Sequence, residues 1–308
     1  MAYLVTTDAA RRGEWRDVPT GQLRTTYFLD SPAGTDLPQC FRVENTPHRL
    51  LKTHFHETDQ FQVITAGTGT LGRHPLMPFT VHFARAFTPY GPIVAGPQGL
   101  DWLTIRALHD DGAQYLPESR EALLAVTDRQ PWQMTQAVSF GDMPTDGTLR
   151  ALPGLSDERG LGAFAVQVQP GAALTLPDPS ATGGQFLVVV RGGITQDGQD
   201  TESLATMLIR PTERPVTVVA GAQGLAALVL NFPVPALRPA PAPPSVSRPA
   251  VAAASKAWHC SPCGLVYEEA DGLPEYGVPP GTRFEDLAAD WKCPDCSASK
   301  ADFVEVAF

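Results

Sequence analysis

The sequence predicts a mainly β chain, two similar β-barrels followed by a small metal domain. Three observations predict it: a duplicated pattern of short strands, a proline-rich break near the end, and four of five cysteines gathered beyond that break. The 308 residues are 43% hydrophobic and 18% charged, which supplies ordinary buried cores and exceeds the length of most single domains.

The duplication shows as "VAGPQGLDWLTI" (Val94 to Ile105) returning as "VAGAQGLAALVL" (Val219 to Leu230), an offset of 125 residues. Gln60, Phe61, Val63 and Gly67 return at that same offset as Gln185, Phe186, Val188 and Gly192. Matches sharing one offset point to a repeated domain of about 100 residues. Each copy reads as short strands broken by Gly and Pro: "FQVITAGTGTLG", "TVHFARAF" and "DWLTIRAL", then "FLVVVRGGI", "ATMLIR" and "VTVVAG". Such spacing suggests a sandwich or barrel. Between the copies, Pro117 to Arg129 begins with Pro and acidic residues and predicts a connector helix.

From Phe232 to Lys256 seven prolines are interleaved with Ala and Ser without a hydrophobic period. This predicts a semi-rigid linker, extended at about 3.1 Å per residue. The expected domains are therefore 1–115, a first barrel; 116–232, connector and second barrel; 233–256, linker; and 257–308, the cysteine domain.

A net charge of -10 argues against nucleic acid, which needs a basic stripe. Ten acidic residues against three basic ones lie between Ala257 and Phe308, so most of that charge belongs to the cysteine domain. No segment approaches the roughly 18 uninterrupted apolar residues of a membrane span, and the first residues carry no apolar signal core. The expectation is a cytoplasmic protein that engages no membrane.

Cys260, Cys263, Cys293 and Cys296 form two C-x-x-C pairs, a tetrahedral sulfur set that suits Fe or Zn. Cys40 stands apart and reads as a packed, inert thiol. Around the pairs, "CSPCGLVY", Gly272, "GVPPGTRF", Leu287, "WKCPDC" and "KADF" resemble rubredoxin over Trp258 to Phe303. Tyr267, Phe284, Trp291 and Phe303 correspond to that family's aromatic core, and Gly264 to its metal-binding knuckle. Ala288 and Ser297 stand where the family usually carries Pro and Gly. The resemblance implies one Fe(Cys)4 centre that moves electrons, binds no substrate, and is served by an electron-donating reductase.

In "KTHFHETDQFQVITAGTG", His54 and His56 are two apart, so on a strand both imidazoles face one way. The stretch resembles the first cupin motif, with Gln60 in the acidic ligand's position. The cupin resemblance implies two jelly-roll barrels that often pair into homodimers. The second motif, "PYGPIV", has Val94 where a ligand His is expected, and "LPDPSATGGQF" in the second copy has no His. His82 is a candidate third ligand if its strand faces inward. His74 reads as a surface residue, and Glu57 and Asp59 as solvated acids.

His54, His56, Gln60 and His82 are thus the candidate catalytic set, with the three histidines as ligands of an Fe(II), Ni, Cu or Zn ion. Two functional expectations follow. Either the rubredoxin delivers electrons to a non-haem iron oxygenase in the first barrel, acting on a small molecule and O2, or the bicupin binds a small molecule or docks a partner without chemistry.

Overall fold

The computed structural model describes residues 2–234, 256–260, 265–270, 272–273, 276–294 and 299–305. The linker between 235 and 255, and with it Cys263, Gly264, Cys296 and Ser297, lies outside the described residues.

The strands that position the first site are β1 (Tyr3–Val5), β2 (Gly21–Leu29), β3 (Gln39–Asn45), β4 (His54–Phe55), β5 (Gln60–Leu71), β6 (Val81–Ala84) and β7 (Ile93–Arg106). A short helix, α1 (Arg120–Leu124), leads to β8 (Gln133–Gln136). The second copy contributes β9 (Arg150–Ser156), β10 (Gly162–Val168), β11 (Gln185–Gln196), β12 (Thr206–Ile209) and β13 (Thr217–Asn231).

Each copy builds one antiparallel sheet, and the two have the same plan. The first runs β8-β6-β5-β7-β3-β2, the second β1-β12-β11-β13-β10-β9. The outermost strands are exchanged: β1, at the start of the chain, pairs with β12, and β8, from the second half, pairs with β6. The sheets therefore interlock across the boundary between 115 and 116. Strand alternation explains how they pack. Phe61, Val63, Phe83, Leu103 and Ile105 on one sheet meet Phe186, Val188, Leu228, Leu230 and Phe232 from the other in a shared core. Cys40 is buried in that core, and burial pushes its thiol up to about 12, which leaves it protonated and packed.

The opposite faces line the barrel interiors, and here the copies diverge. The second interior is aliphatic throughout, with Leu187, Val189, Met207, Leu225 and Val229 among its fillers. The first places Gln62, His82 and Thr104 at the positions of Leu187, Met207 and Val229, and it encloses a cavity of about 480 Å³.

The connector helix is shorter than its sequence suggests. Only Arg120–Leu124 is helical, Ser119 makes no side-chain cap, and Leu123 is its one buried residue. A segment with a single apolar anchor has too little burial to propagate further. Among the described residues, no helix is long and apolar enough to cross a membrane.

The C-terminal unit is a three-stranded sheet in the order β15-β14-β16, where β14 is Ala257–Cys260, β15 Val266–Glu268 and β16 Phe303–Glu305. Its core joins Tyr267, Phe284, Leu287 and Phe303 to Cys260 and Cys293, with Trp258 and Trp291 packed alongside. Trp258 stacks on Phe284 at 4.3 Å between ring centres, and Phe303 lies 5.1 Å from the same ring. So few apolar residues make a marginal core, which is why such a unit leans on its metal. Buried Glu269 ties the ends together by accepting from Trp258 Nε1 at 3.0 Å and from the Phe284 and Lys256 amides at 2.9 and 3.1 Å.

Candidate functional site: a histidine network in the first barrel and a cysteine pair in the C-terminal unit

The first barrel brings His54, His56 and Gln60 together. β4 carries His54, held by reciprocal backbone bonds with Tyr90, and β5 begins at Gln60, opposite Arg106 at the end of β7. His54, His56, Gln60, Tyr90 and Arg106 are all buried, and the rings of His54 and His56 sit edge to face, 5.3 Å apart.

The hydrogen bonds fix what each group presents. His54 Nδ1 donates to the Lys52 carbonyl at 2.8 Å, so Nε2 is left as an acceptor and takes the Tyr90 hydroxyl at 3.0 Å. That hydroxyl in turn accepts from Gln60 Nε2. His56 Nδ1 donates to Asp110 Oδ1 at 2.7 Å, and Arg106 Nη2 lies 3.3 Å from His56 Nε2. Arg106 also donates to Gln60 Oε1 from Nε at 3.1 Å and from Nη2 at 2.9 Å, to Gln39 at 2.9 Å, and pairs with Asp110 at 3.4 Å. Tyr90 lies within the second motif, "PYGPIV", though not at its ligand position, and Arg106 and Asp110 belong to no motif in the sequence. The one signal for Arg106 and Asp110 is charge, at and just past the end of an otherwise apolar strand.

Burial governs the protonation states. It depresses His54 to about 3, lowers His56 despite its bond to Asp110, and pushes the Tyr90 phenol up, so both imidazoles are neutral and the phenol keeps its proton. Burial works to raise Asp110, but the His56 hydrogen bond and the nearby guanidinium outweigh it and hold the carboxyl at about 2. Arg106 is pulled down by burial and supported by Asp110. The charge of the network is thus one guanidinium against one carboxylate.

His82 faces the same interior, since its neighbours Val81 and Phe83 enter the shared core and it pairs with Gln62 and Thr135. Its Nδ1 bonds Thr135 Oγ1 at 2.9 Å, its Nε2 is buried without a partner, and burial depresses it to about 3. Tyr90 stands between it and His54, with ring centres 5.0 Å from His82 and 4.5 Å from His54. His74 lies on the short strand His74–Leu76, partly exposed, and Val94 pairs with Thr70 and Leu50. Glu57 is exposed, and Asp59 accepts from the Ala86 amide at 2.8 Å.

In this arrangement two of the candidate donors already have partners, while His82 Nε2 has none. The free lone pairs of His54 Nε2 and Gln60 Oε1 are already taken by the Tyr90 hydroxyl and the Arg106 guanidinium, which also lies against His56. Among the described residues, no group of three or more His, Cys, Asp or Glu is placed to hold a metal ion. A divalent ion set beside a buried guanidinium would add strong like-charge repulsion in a medium that screens poorly.

The cysteine centre differs in kind. Cys260 and Cys293 are 0% and 1% exposed inside an aromatic shell, a setting of soft donors and low dielectric that suits iron. Their partners in each C-x-x-C pair lie outside the described residues.

Comparison with known proteins divides the chain in the same way. Residues 257–303 match the Rubredoxin family. Rubredoxin-2 of Pseudomonas aeruginosa is 58% identical over 52 residues, 16% of this chain and 94% of that protein. Rubredoxin 4 of Rhodococcus sp. is 53% identical over 51 residues, 17% of this chain and 85% of that protein. Over 77% of this chain and 85% of the other, the fold resembles a crystal structure from Nostoc punctiforme provisionally named a dioxygenase, with a TM-score of 0.52 at 13% identity. That likeness speaks to fold alone. The chain belongs to the rubredoxin family through its C-terminal unit, an iron-binding electron-transfer domain, which follows two barrels of cupin-like fold.

Proposed function

We propose that the protein is an electron carrier whose iron is held by Cys260, Cys263, Cys293 and Cys296, and whose bicupin binds a small molecule in the first barrel without a resident metal. A reductase would load the iron and a separate redox enzyme would unload it, the acidic surface of the C-terminal unit steering basic partners. The linker keeps the carrier close to whatever the bicupin engages. The observation that carries this reading is the Arg106–Asp110 pair, 3.4 Å apart, whose guanidinium engages Gln60 and lies against His56.

A second reading keeps the first barrel as an oxygenase centre fed by the rubredoxin. It draws on the His54–His56 pair beside Gln60 and on the provisional name of the Nostoc protein. Metal analysis of the intact chain, purified without oxygen, separates the two. The proposed function expects about one iron per chain, lost in Cys260→Ser and kept in His54→Ala. A second metal that disappears with His54→Ala would overturn it in favour of the oxygenase.

A further inference from the structure

The cavity of about 480 Å³ in the first barrel is lined by more than the histidine network. Arg49 enters it just before the strand pair Leu50–Leu51, its carbonyl fixed by the Ala95 amide at 2.9 Å. Its side chain is only 6% exposed. Nη1 donates to Asn45, which is itself anchored to the Leu100 carbonyl at 2.6 Å, while Nε is buried with no partner.

No carboxylate balances this guanidinium. Three acids line the cavity, and each is engaged elsewhere: Asp30 by Arg11, Asp110 by His56 and Arg106, and Asp111 by His109 at 2.9 Å. Burial pulls Arg49 below its usual range, opposed only by the nearby Tyr115 phenol, as expected of a cation lacking a counter-ion. Arginine nevertheless stays charged. Aromatic side chains line the same cavity: Tyr115 lies near Arg49, and Trp102, Tyr27 and Phe41 continue the wall toward Arg106, whose guanidinium is 5.4 Å from the Phe41 ring, a lining suited to a flat apolar body. In the second barrel, Leu174 stands 125 residues after Arg49 and is buried among aliphatics, so the cation belongs to the open barrel and not to the filled one.

We propose that this cavity binds a small planar monocarboxylate, with the carboxylate on Arg49 and the ring system between the aromatic walls. Arg49 is the buried guanidinium without a counter-ion and matches one negative charge; a second charge would have to be met by Arg16, which lines the cavity but is exposed to water. The inference rests on the reading of the first barrel as a ligand-binding module and names its ligand class.

Titration calorimetry on the intact protein with benzoate, benzamide and inorganic phosphate tests it, with Trp102 fluorescence, isolated by comparison with Trp102→Phe, as a second readout. Benzoate is expected to bind at least about tenfold more tightly than benzamide, and Arg49→Met to abolish that preference while Arg49→Lys keeps part of it. The wild-type comparison stands even where Arg49→Met fails to fold. Benzamide equal to benzoate, or phosphate tighter than benzoate, would overturn the carboxylate assignment and leave the ligand-binding reading in place. Binding of none of the three, with Trp102 unmoved, would overturn both.

Discussion

Arg106 grips Gln60 across β5 and β7 with two nitrogens, at 3.1 and 2.9 Å, whereas 125 residues later Asn231 meets Gln185 through a single bond of 3.1 Å. The two pairs hold the same register, Gln60 opposite Arg106 and Gln185 opposite Asn231. One duplicated position therefore carries a buried charge in the first barrel and a neutral amide in the second.

That charge predicts an asymmetric cost. Arg106→Met leaves Asp110 buried without its counter-ion, and Asp110→Asn leaves Arg106 likewise, so each should destabilise by about 3–5 kcal/mol in urea unfolding. The double variant should lose less than the two costs combined. An additive double variant would mean that the pair does not act as a unit.

Tyr90→Phe removes the hydroxyl shared by His54 Nε2 and Gln60 Nε2 and leaves both buried groups without that partner. A loss of about 1–3 kcal/mol is expected. Circular dichroism melts would show it, and an unchanged midpoint would contradict the network.

The pH dependence follows from the buried histidines. His54 and His82 are depressed to about 3 by burial, whereas unfolded histidine titrates near 6.5. The unfolded chain binds more protons between those values, so stability is full above about 6.5 and falls by about 1.4 kcal/mol per pH unit for each histidine as acid is added. Asp110, depressed to about 2, loses its contribution only below its unfolded value near 3.8. The acid limb should therefore begin at the histidines. Urea midpoints from pH 7.5 to 4.5 check this, and His82→Gln should flatten the slope.

The repeat predicts matched sensitivity at two glycines. Gly67 and Gly192 have φ of +72° and +69°, and an added Cβ would strike the carbonyls of Gly99 and Gly224 respectively. Ala at either position should cost at least about 1–2 kcal/mol from conformation alone, with the steric clash added. Thermal shifts of the two variants should run in parallel.

Rubredoxin iron predicts the last outcome. Cys293→Ser should remove the iron and lower the stability of the C-terminal unit, whose core is small, while the bicupin transition stays in place. Two separate calorimetric transitions, only one of them shifted, would be the signature.

The duplication, the strand-rich class and the rubredoxin unit are all legible in the sequence. An offset of 125 residues, short apolar strands broken by Gly and Pro, and C-x-x-C spacing are all patterns that survive without coordinates. The sequence also brought His54, His56 and Gln60 to notice, since they lie within seven residues of one another. What those side chains face depends on how the strands assemble. Tyr90, Arg106, Asp110 and Arg49 are spread over some sixty residues and meet only because β4, β5 and β7 curl around one interior. The exchange of β1 and β8 was hidden for the same reason, because a strand's pairing partner is set by long-range register and not by its own composition. Whether a histidine presents a lone pair to a metal or to a neighbouring hydroxyl depends on that assembly, and here the assembly supplies the hydroxyl and the guanidinium.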